Sequence, residues 1–427
     1  MKRLVIIVLS ISIILGFLFW KFAPGINLFN KPKQPEQISL TYWGLWEDDN
    51  LIKPVILEYQ RQHPNITINY ERKSLLNYRT RVQTQIKEGV GPDIFKIHNS
   101  WLPMFRGDLA PAPQDVFTLT EYRNTFYPVA VDSFVKDNQI YGVPIGIDGL
   151  ALFYNEEMLN GVGGKVPKNW QEFVDLATKM TVKDETGIKT AGAAMGTAAN
   201  VDHWSDIFGL LLLQQPGADF NNLATSQVAE VIRFYTGFVT DPRKKTWDVN
   251  LPKSTEMFAA GRLGFYFAPS SRVHELKTAN PNLKFKVAPV PQLSQKSVAW
   301  ASFWGEAVSL KSKNVSEAWK FVKYLTSAET EKLIGEPYSR VDLLGELAQD
   351  PIVGAFVTQG PIYRFWYLSS GTFDNGINDE MIKYFEDGIN ATLAGSDPLS
   401  ALQTVNSGAR QVLDKYLRPQ PVASPQK

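Results

Sequence analysis

The sequence predicts an α/β protein of two bodies, on three observations. Its 427 residues exceed what one small hydrophobic core organises, so two domains is the expected arrangement. The globular part opens strand, helix, strand, the order that builds parallel neighbours in a sheet. Residues 139–155, QIYGVPIGIDGLALFYN, hold two short apolar runs separated by Asp148-Gly149. Runs this short, rich in β-branched and aromatic residues, read as strands covered on both faces. A carboxylate between them is costly to bury without partners, so Asp148 is expected at a junction facing a cleft.

Residues 38–43 alternate as a strand and lead into the loop GLWEDDN. In the helix that follows, Leu51, Ile52, Val55, Ile56 and Tyr59 share one face. Asp48 or Asp49 can cap its first turn. Pro64 stops it, residues 66–70 form the next strand, and the sheet should be mostly parallel. A helix over 75–88 and a strand over 93–97 follow, with Asp93 as a structural turn residue. Asn169-Trp170-Gln171-Glu172 reads as a capping box for a helix through Met180. Further helices are expected over 202–214, 226–239, 316–326 and 380–393, and strands over 264–267, 285–289 and 307–310. There is no internal repeat or low-complexity block between residues 38 and 418.

The composition, 44% hydrophobic and 20% charged, is that of a globular protein, and a net charge of +1 points to neither nucleic acid nor an anionic membrane surface. Cysteine is absent, which excludes disulfides, thiolate catalysis and thiolate metal sites. His63, His98, His203 and His274 are isolated along the chain, so no zinc spacing exists and no metal or cofactor is implied. The stretch FDNGINDE (373–380) fails the spacing of a calcium loop, and Asn378 is expected instead to cap the next helix.

Lys2 and Arg3 precede an apolar run over 4–20 with no small-residue cleavage pattern after it. At the lower limit for a spanning helix, it reads as a retained anchor (1–23) rather than a cleaved signal. The positive charges favour a cytoplasmic N-terminus and put the rest outside. Pro24, Pro32 and Pro35 make 24–37 a semi-extended tether, and 419–427 is a disordered tail.

Six stretches then stand in order: LTYWGLWEDDNLIKPVILEYQRQHPNITINY, GPDIF, YGVPIGIDGLALFYNEEML, VPKNWQEFVDLATKM, MFAAGRLGFYF and EAWKFVKYLTSAE. Through them the chain resembles the extracellular solute-binding proteins that feed ABC importers, in the family containing maltose-binding protein. The resemblance covers nearly all of 38–418. It implies a two-lobed periplasmic-binding-protein-like α/β fold, with three chain crossings and a ligand cleft that closes by hinge bending. The N-lobe would combine 38–147 with 288–325, and the C-lobe 148–287 with 326–418. It also implies a monomeric, non-enzymatic receptor that delivers solute to ABC importer permease subunits. Many relatives in organisms without an outer membrane are tethered through a lipidated N-terminal cysteine. This chain lacks one, and the 4–20 anchor would replace it on the outer face of the cytoplasmic membrane.

A sugar offers apolar C–H faces and hydroxyls in fixed directions, so its site needs aromatic plates and planar polar groups. The loop after the first strand supplies Trp43, Trp46, Glu47 and Asp48; the loop after the third supplies Asn99, Ser100 and Trp101. Asp148 matches a ligand-contacting carboxylate of the sugar-binding relatives. Trp204 could be the aromatic plate of the C-lobe, and Ser270, Ser271 and Arg272 follow a strand end where relatives touch ligand. Trp300 and Trp304 flank a turn beside a glycine, and Tyr363 and Trp366 lie in a loop before the last helices. Against these stand plainer readings: Asp48 and the serines as caps, and Trp101 and Trp204 as core. Trp170 and Trp319 read as packing, and Trp247 is open. The expected function is capture of a carbohydrate, with an oligosaccharide favoured. A surface glycan-binding or sensing protein without an importer is one alternative. A glycoside hydrolase-like enzyme pairing two of Glu47, Asp48 and Asp148 is the other.

Overall fold

The structure, a computed structural model, describes residues 36–293, 297–334 and 337–418, with residues 12, 14–17 and 21. The expected anchor and tether fall mostly outside the described residues, and the 419–427 tail wholly so. Among the described residues no helix is long and apolar enough to cross a membrane. The chain divides after Ile38 into two units, and all strand residues but Ile38 itself belong to the second.

In chain order the strands are β1 (Ile38–Gly44), β2 (Ile66–Arg72), β3 (Ile94–His98), β4 (Leu109–Ala110), β5 (Val135–Lys136), β6 (Gln139–Ile140) and β7 (Val143–Pro144). They continue as β8 (Ala151–Asn155), β9 (Val182–Asp184), β10 (Gly187–Ala193), β11 (Leu263–Ala268), β12 (Phe285–Ala288), β13 (Ala299–Trp300), β14 (Trp304–Ser309) and β15 (Tyr363–Arg364). One sheet runs β2-β1-β3-β14-β4, with β7 also paired to β14; the other runs β12-β8-β11-β10-β9. The two strands of the strand–helix–strand opening, β1 and β2, are sheet neighbours, β1 runs parallel to β3, and β10 runs parallel to β11. The sheets are nonetheless mixed rather than mostly parallel. β14 runs antiparallel to β3, β4 and β7, and β8 runs antiparallel to β11 and β12. β14 enters its sheet from late in the chain, and β8 pairs with strands over a hundred residues downstream, so neither is bound by the parallel rule of a helical crossover.

Local chemistry sets the elements. Asp48 caps the Asp49–Gln62 helix by accepting the Asn50 N–H at 2.7 Å. That helix buries Ile52, Val55, Ile56 and Tyr59 but leaves Leu51 exposed. Asn169 accepts the Glu172 N–H at 2.9 Å, and the Glu172 carboxylate reaches back to the Lys168 N–H at 2.8 Å. The box therefore starts Trp170–Met180 as the sequence implies. Asp93 ties β1 to the turn after β14, accepting from Thr41 N–H (2.8 Å) and Ser312 Oγ (2.5 Å).

Three expected boundaries move by three residues each. The helix placed over 75–88 begins at Tyr78, because Asn77 is left-handed with φ 54°. The helix placed from 380 begins at Ile377, and Asn378 is not its cap. Asp374 does that work, accepting the backbone N–H groups of Gly376, Asn378 and Asp379. β14 also starts three residues earlier than expected and takes in Trp304.

Candidate functional site

β1 and β3 finish at the edge where β14 begins, and that edge gathers the aromatic candidates. Trp304 opens β14 directly opposite His98, the last residue of β3. Its ring meets Trp101 edge-on at 4.8 Å, His98 at 5.3 Å and Trp46 at 5.3 Å. Trp101 is fully buried, Trp304 partly, and Trp46 is 50% exposed, so the cluster grades from core to surface. Trp101 is the packed base beneath the plate, as its plainer reading held. Trp43 is buried beneath the Lys73 ammonium, which lies 4.4 Å from its ring.

The polar neighbours interlock. Asn99 exchanges hydrogen bonds with Phe303, N–H to carbonyl at 2.9 Å and side-chain oxygen to N–H at 3.2 Å. His98 Nδ1 accepts from the Ser100 backbone (3.3 Å) and hydroxyl (2.8 Å), so its Nε2–H is left to donate to Ser302 Oγ at 3.1 Å. Burial pushes the His98 imidazole down to about 3, which keeps it neutral. Asn378 donates to Ser100 Oγ at 2.7 Å, bringing the last long helices to this loop.

Asp148 sits where three segments meet. Its carboxylate accepts from Gly149 N–H (2.7 Å), Ser270 N–H (3.0 Å) and Ser270 Oγ (2.8 Å), while its carbonyl accepts from Ser302 N–H (3.0 Å). Burial raises the carboxyl to about 6 against the pull of those donors. Gly149 is required by close approach: a Cβ there would lie 2.0 Å from the Trp300 carbonyl oxygen. Ser270 is thus a partner of Asp148, and Ser271, at the N-cap position of the Arg272–Ala279 helix, makes no side-chain cap bond.

Beyond Asp148 runs a hydrogen-bond relay that sequence reasoning missed. Ser370 Oγ donates to Asp206 Oδ2, whose Oδ1 accepts Trp300 Nε1–H at 2.8 Å. The Ser370 hydroxyl being so used, its oxygen accepts His203 Nδ1–H at 3.1 Å, leaving His203 Nε2 to accept Arg272 Nε–H at 3.2 Å. Arg272 also pairs with Glu275. His203, Asp206 and Ser370 lack any motif; the nearest signal is a histidine and an aspartate three apart around Trp204.

The remaining candidates are not brought together. Trp300 is fully buried, so of the two tryptophans judged hard to assign to a core only Trp304 keeps an exposed edge. Tyr363 is buried with its ring 2.7 Å from a Cβ placed on Gly149, and Trp204 is buried in the core. Trp366 packs on Phe220 (5.0 Å) and Phe385 (5.9 Å), away from this line. Trp170 and Trp319 are core, and Trp247, left open by sequence, is buried with its Nε1–H on Asn200. Glu47 is tied to Lys96 at 2.7 Å and Asp48 to its helix, so the three carboxylates of a hydrolytic pairing are each engaged elsewhere. A cavity of about 750 Å³ lies at the far end of the Trp204–Gln214 helix, lined by Gln215, Phe220, Arg364 and Phe365 among others. None of the candidate residues lines it.

A family model described as bacterial extracellular solute-binding protein matches residues 55–351. A binding protein of Brucella abortus is 23% identical over 62% of this chain, and the match spans 66%, just under two thirds, of that protein. The multiple sugar-binding protein of Streptococcus mutans is 22% identical over 69% of this chain and 72% of its own length. Among solved structures, a cyclo/maltodextrin-binding protein complexed with maltotetraose superposes with a TM-score of 0.72 at 17% identity, covering 90% of this chain and 99% of that one. That likeness shows the two-lobed α/β fold. With a family match across most of its length, the chain belongs to the bacterial extracellular solute-binding proteins, a family that works outside the cytoplasm.

Proposed function

We propose that the protein captures a carbohydrate, an oligosaccharide by preference, between two lobes and delivers it to the permease subunits of an ABC importer. The observation that carries this reading is the line of contacts from Trp46 through Trp304, His98, Ser302, Asp148 and Ser270, made by side chains except where the Ser302 N–H meets the Asp148 carbonyl. It combines a half-exposed indole plate with hydrogen-bonding groups drawn from the ends of both sheets. Aromatic faces suit sugar C–H surfaces, and buried donors and acceptors reject ligands that lack matching hydroxyls. The Asn99 Nδ2 and Trp101 Nε1 donors beside the line find no partner among the described residues. The names of the streptococcal relative and of the maltotetraose-bound structure favour sugar over other solutes.

In this reading the N-lobe centres on the β14-containing sheet and the C-lobe on the β8-containing sheet. The first passage between them is Asp148-Gly149. The Gly149–Ala301 bridge and the Asn99–Phe303 bonds favour a second passage at 301–303, rather than at 287–289. The bridges Gly146–Tyr338 and Phe126–Arg340 keep 337–340 beside N-lobe segments, which favours a third passage beyond 340. Ligand contacts on both lobes would bias the open–closed equilibrium toward closed. The apolar run over 4–20 would hold the receptor, as a monomer, at the outer face of the cytoplasmic membrane.

Small-angle X-ray scattering tests the closure: maltotetraose or a longer glucan should reduce the radius of gyration of the isolated globular part. A profile unchanged by every oligosaccharide that binds would remove the two-lobe mechanism.

A further inference from the structure

Lys96 stands in the middle of β3, a central strand whose five residues are all buried. An ammonium there is tolerated only with close partners. It has two. Glu306 lies directly across the antiparallel pairing on β14, and its Oε1 is 2.5 Å from Lys96 Nζ. Glu47 comes from the loop after β1 and places its Oε1 2.7 Å from the same nitrogen. All three side chains are at most 10% exposed.

Glu47 is also the organiser of its own loop. Its Oε2 accepts the Leu45 N–H at 3.3 Å, and Tyr70 donates its hydroxyl to the Glu47 carbonyl at 3.1 Å. The neighbouring residue, Trp46, lies with its ring centre 5.5 Å from Lys96 Nζ and meets Trp304 edge-on at 5.3 Å. The most exposed aromatic of the site therefore rests on nearly buried charges.

We infer that Glu47, Lys96 and Glu306 form a buried charge triad that positions Trp46 as a fixed wall of the ligand site. The claim that Trp46 faces ligand rests on the proposed function; the claim that the triad fixes Trp46 does not. Glu47 is then a positioning residue rather than a sugar contact. With Lys96 present, its carboxylate is drawn into the lobe and the loop follows. Without Lys96, two carboxylates would share one dry site, and the loop carrying Trp46 is the part free to leave.

Two measurements separate the claims. The first needs no ligand: the emission and acrylamide quenching of Trp46, taken as the difference between a protein and its Trp46→Phe counterpart, in wild type, Lys96→Met and Glu47→Gln. Loss of the triad should shift the Trp46 emission to the red and raise its quenching. Glu47→Gln keeps the Lys96–Glu306 pair, so it reports even if Lys96→Met folds poorly. Unchanged Trp46 emission and quenching in Glu47→Gln would overturn the positioning role. The second is affinity for maltotetraose in a double-mutant cycle. Trp46→Ala should weaken binding about tenfold, and Glu47→Gln should weaken it in wild type but add nothing in the Trp46→Ala background. Equal losses in both backgrounds would mean that Glu47 acts apart from Trp46, against the proposal. Full affinity in Trp46→Ala would overturn the ligand-facing wall while leaving the fluorescence result to judge the triad.

Discussion

Asp148 and Ser270, 122 positions apart, are joined twice, by the serine hydroxyl at 2.8 Å and by its backbone N–H at 3.0 Å. This joint fastens the segment between β7 and β8 to the end of β11, and burial raises the Asp148 carboxyl from 3.8 to about 6. A carboxyl raised on folding binds its proton more tightly in the native state. Stability should therefore fall as pH rises from about 4 to about 6 and stay level above. Asp148→Asn removes that dependence while keeping an acceptor for Ser270. It should be more stable than wild type above pH 6 by on the order of 1–2 kcal/mol, allowing for partial exposure, with the gap closing toward pH 4. Urea denaturation at pH 4, 5.5 and 7 measures this; a wild type more stable than the variant at pH 7 would contradict it.

Glu331 makes the same argument at higher pH. It is fully buried in the short helix Ala328–Ile334, its Oε1 accepts from the Ser339 N–H at 2.5 Å, and burial pushes its carboxyl up to about 8. Protonated in the native state up to that pH, it should make stability decline between about pH 4.5 and 8. Glu331→Gln should raise the melting temperature at pH 9 and change it little at pH 5. Equal shifts at the two pH values would show that the carboxyl ionises normally.

Gly149 should tolerate no side chain. Its Cβ would meet backbone at 2.0 Å and the Tyr363 ring at 2.7 Å, whereas one on Gly345 would meet nothing within 4 Å. Gly149→Ala should cost about 2 kcal/mol or more and Gly345→Ala roughly nothing. Comparable denaturation midpoints for the two variants would refute the close approach.

Two of the aromatic candidates that keep exposed surface, Trp304 and Trp366, are separable. Trp304 contacts Trp46, Trp101 and His98, whereas Trp366 contacts Phe220 and Phe385. Trp304→Ala should weaken oligosaccharide binding tenfold or more, about 1.4 kcal/mol. Trp366→Ala should lower thermal stability and leave affinity near wild type. Titrations showing the reverse order would move the site toward the 360s loop.

What the sequence disclosed follows the range over which each cue acts. Asp48 and the 169–172 box were legible because a cap acts within three residues. The position of Asp148 was legible because a carboxylate between two buried strands has few places to be. Its partner Ser270 was not, and neither was the His203–Ser370–Asp206 relay, because those bonds join segments 122 and more than 160 residues apart. Tryptophan identity was a weak guide. Trp300 and Trp304 look alike in AWASFWGE, yet only the one at the mouth of β14 keeps an open edge, a difference set by which helix packs above β13. Glu47 was read as a contact because the resemblance puts ligand-contacting polar residues in its loop; its ammonium partner, Lys96, was hidden in an apolar strand.

The most direct test is isothermal titration calorimetry of the globular part against linear gluco- and galacto-oligosaccharides. It would be run on wild type, on Asp148→Ala and on Trp304→Ala. Saturable binding of one oligosaccharide per chain, weakened at least tenfold in both variants, is the expected result. Heats of dilution alone across the panel, or an affinity that both variants retain in full, would contradict a sugar receptor built on the Trp46–Asp148 line.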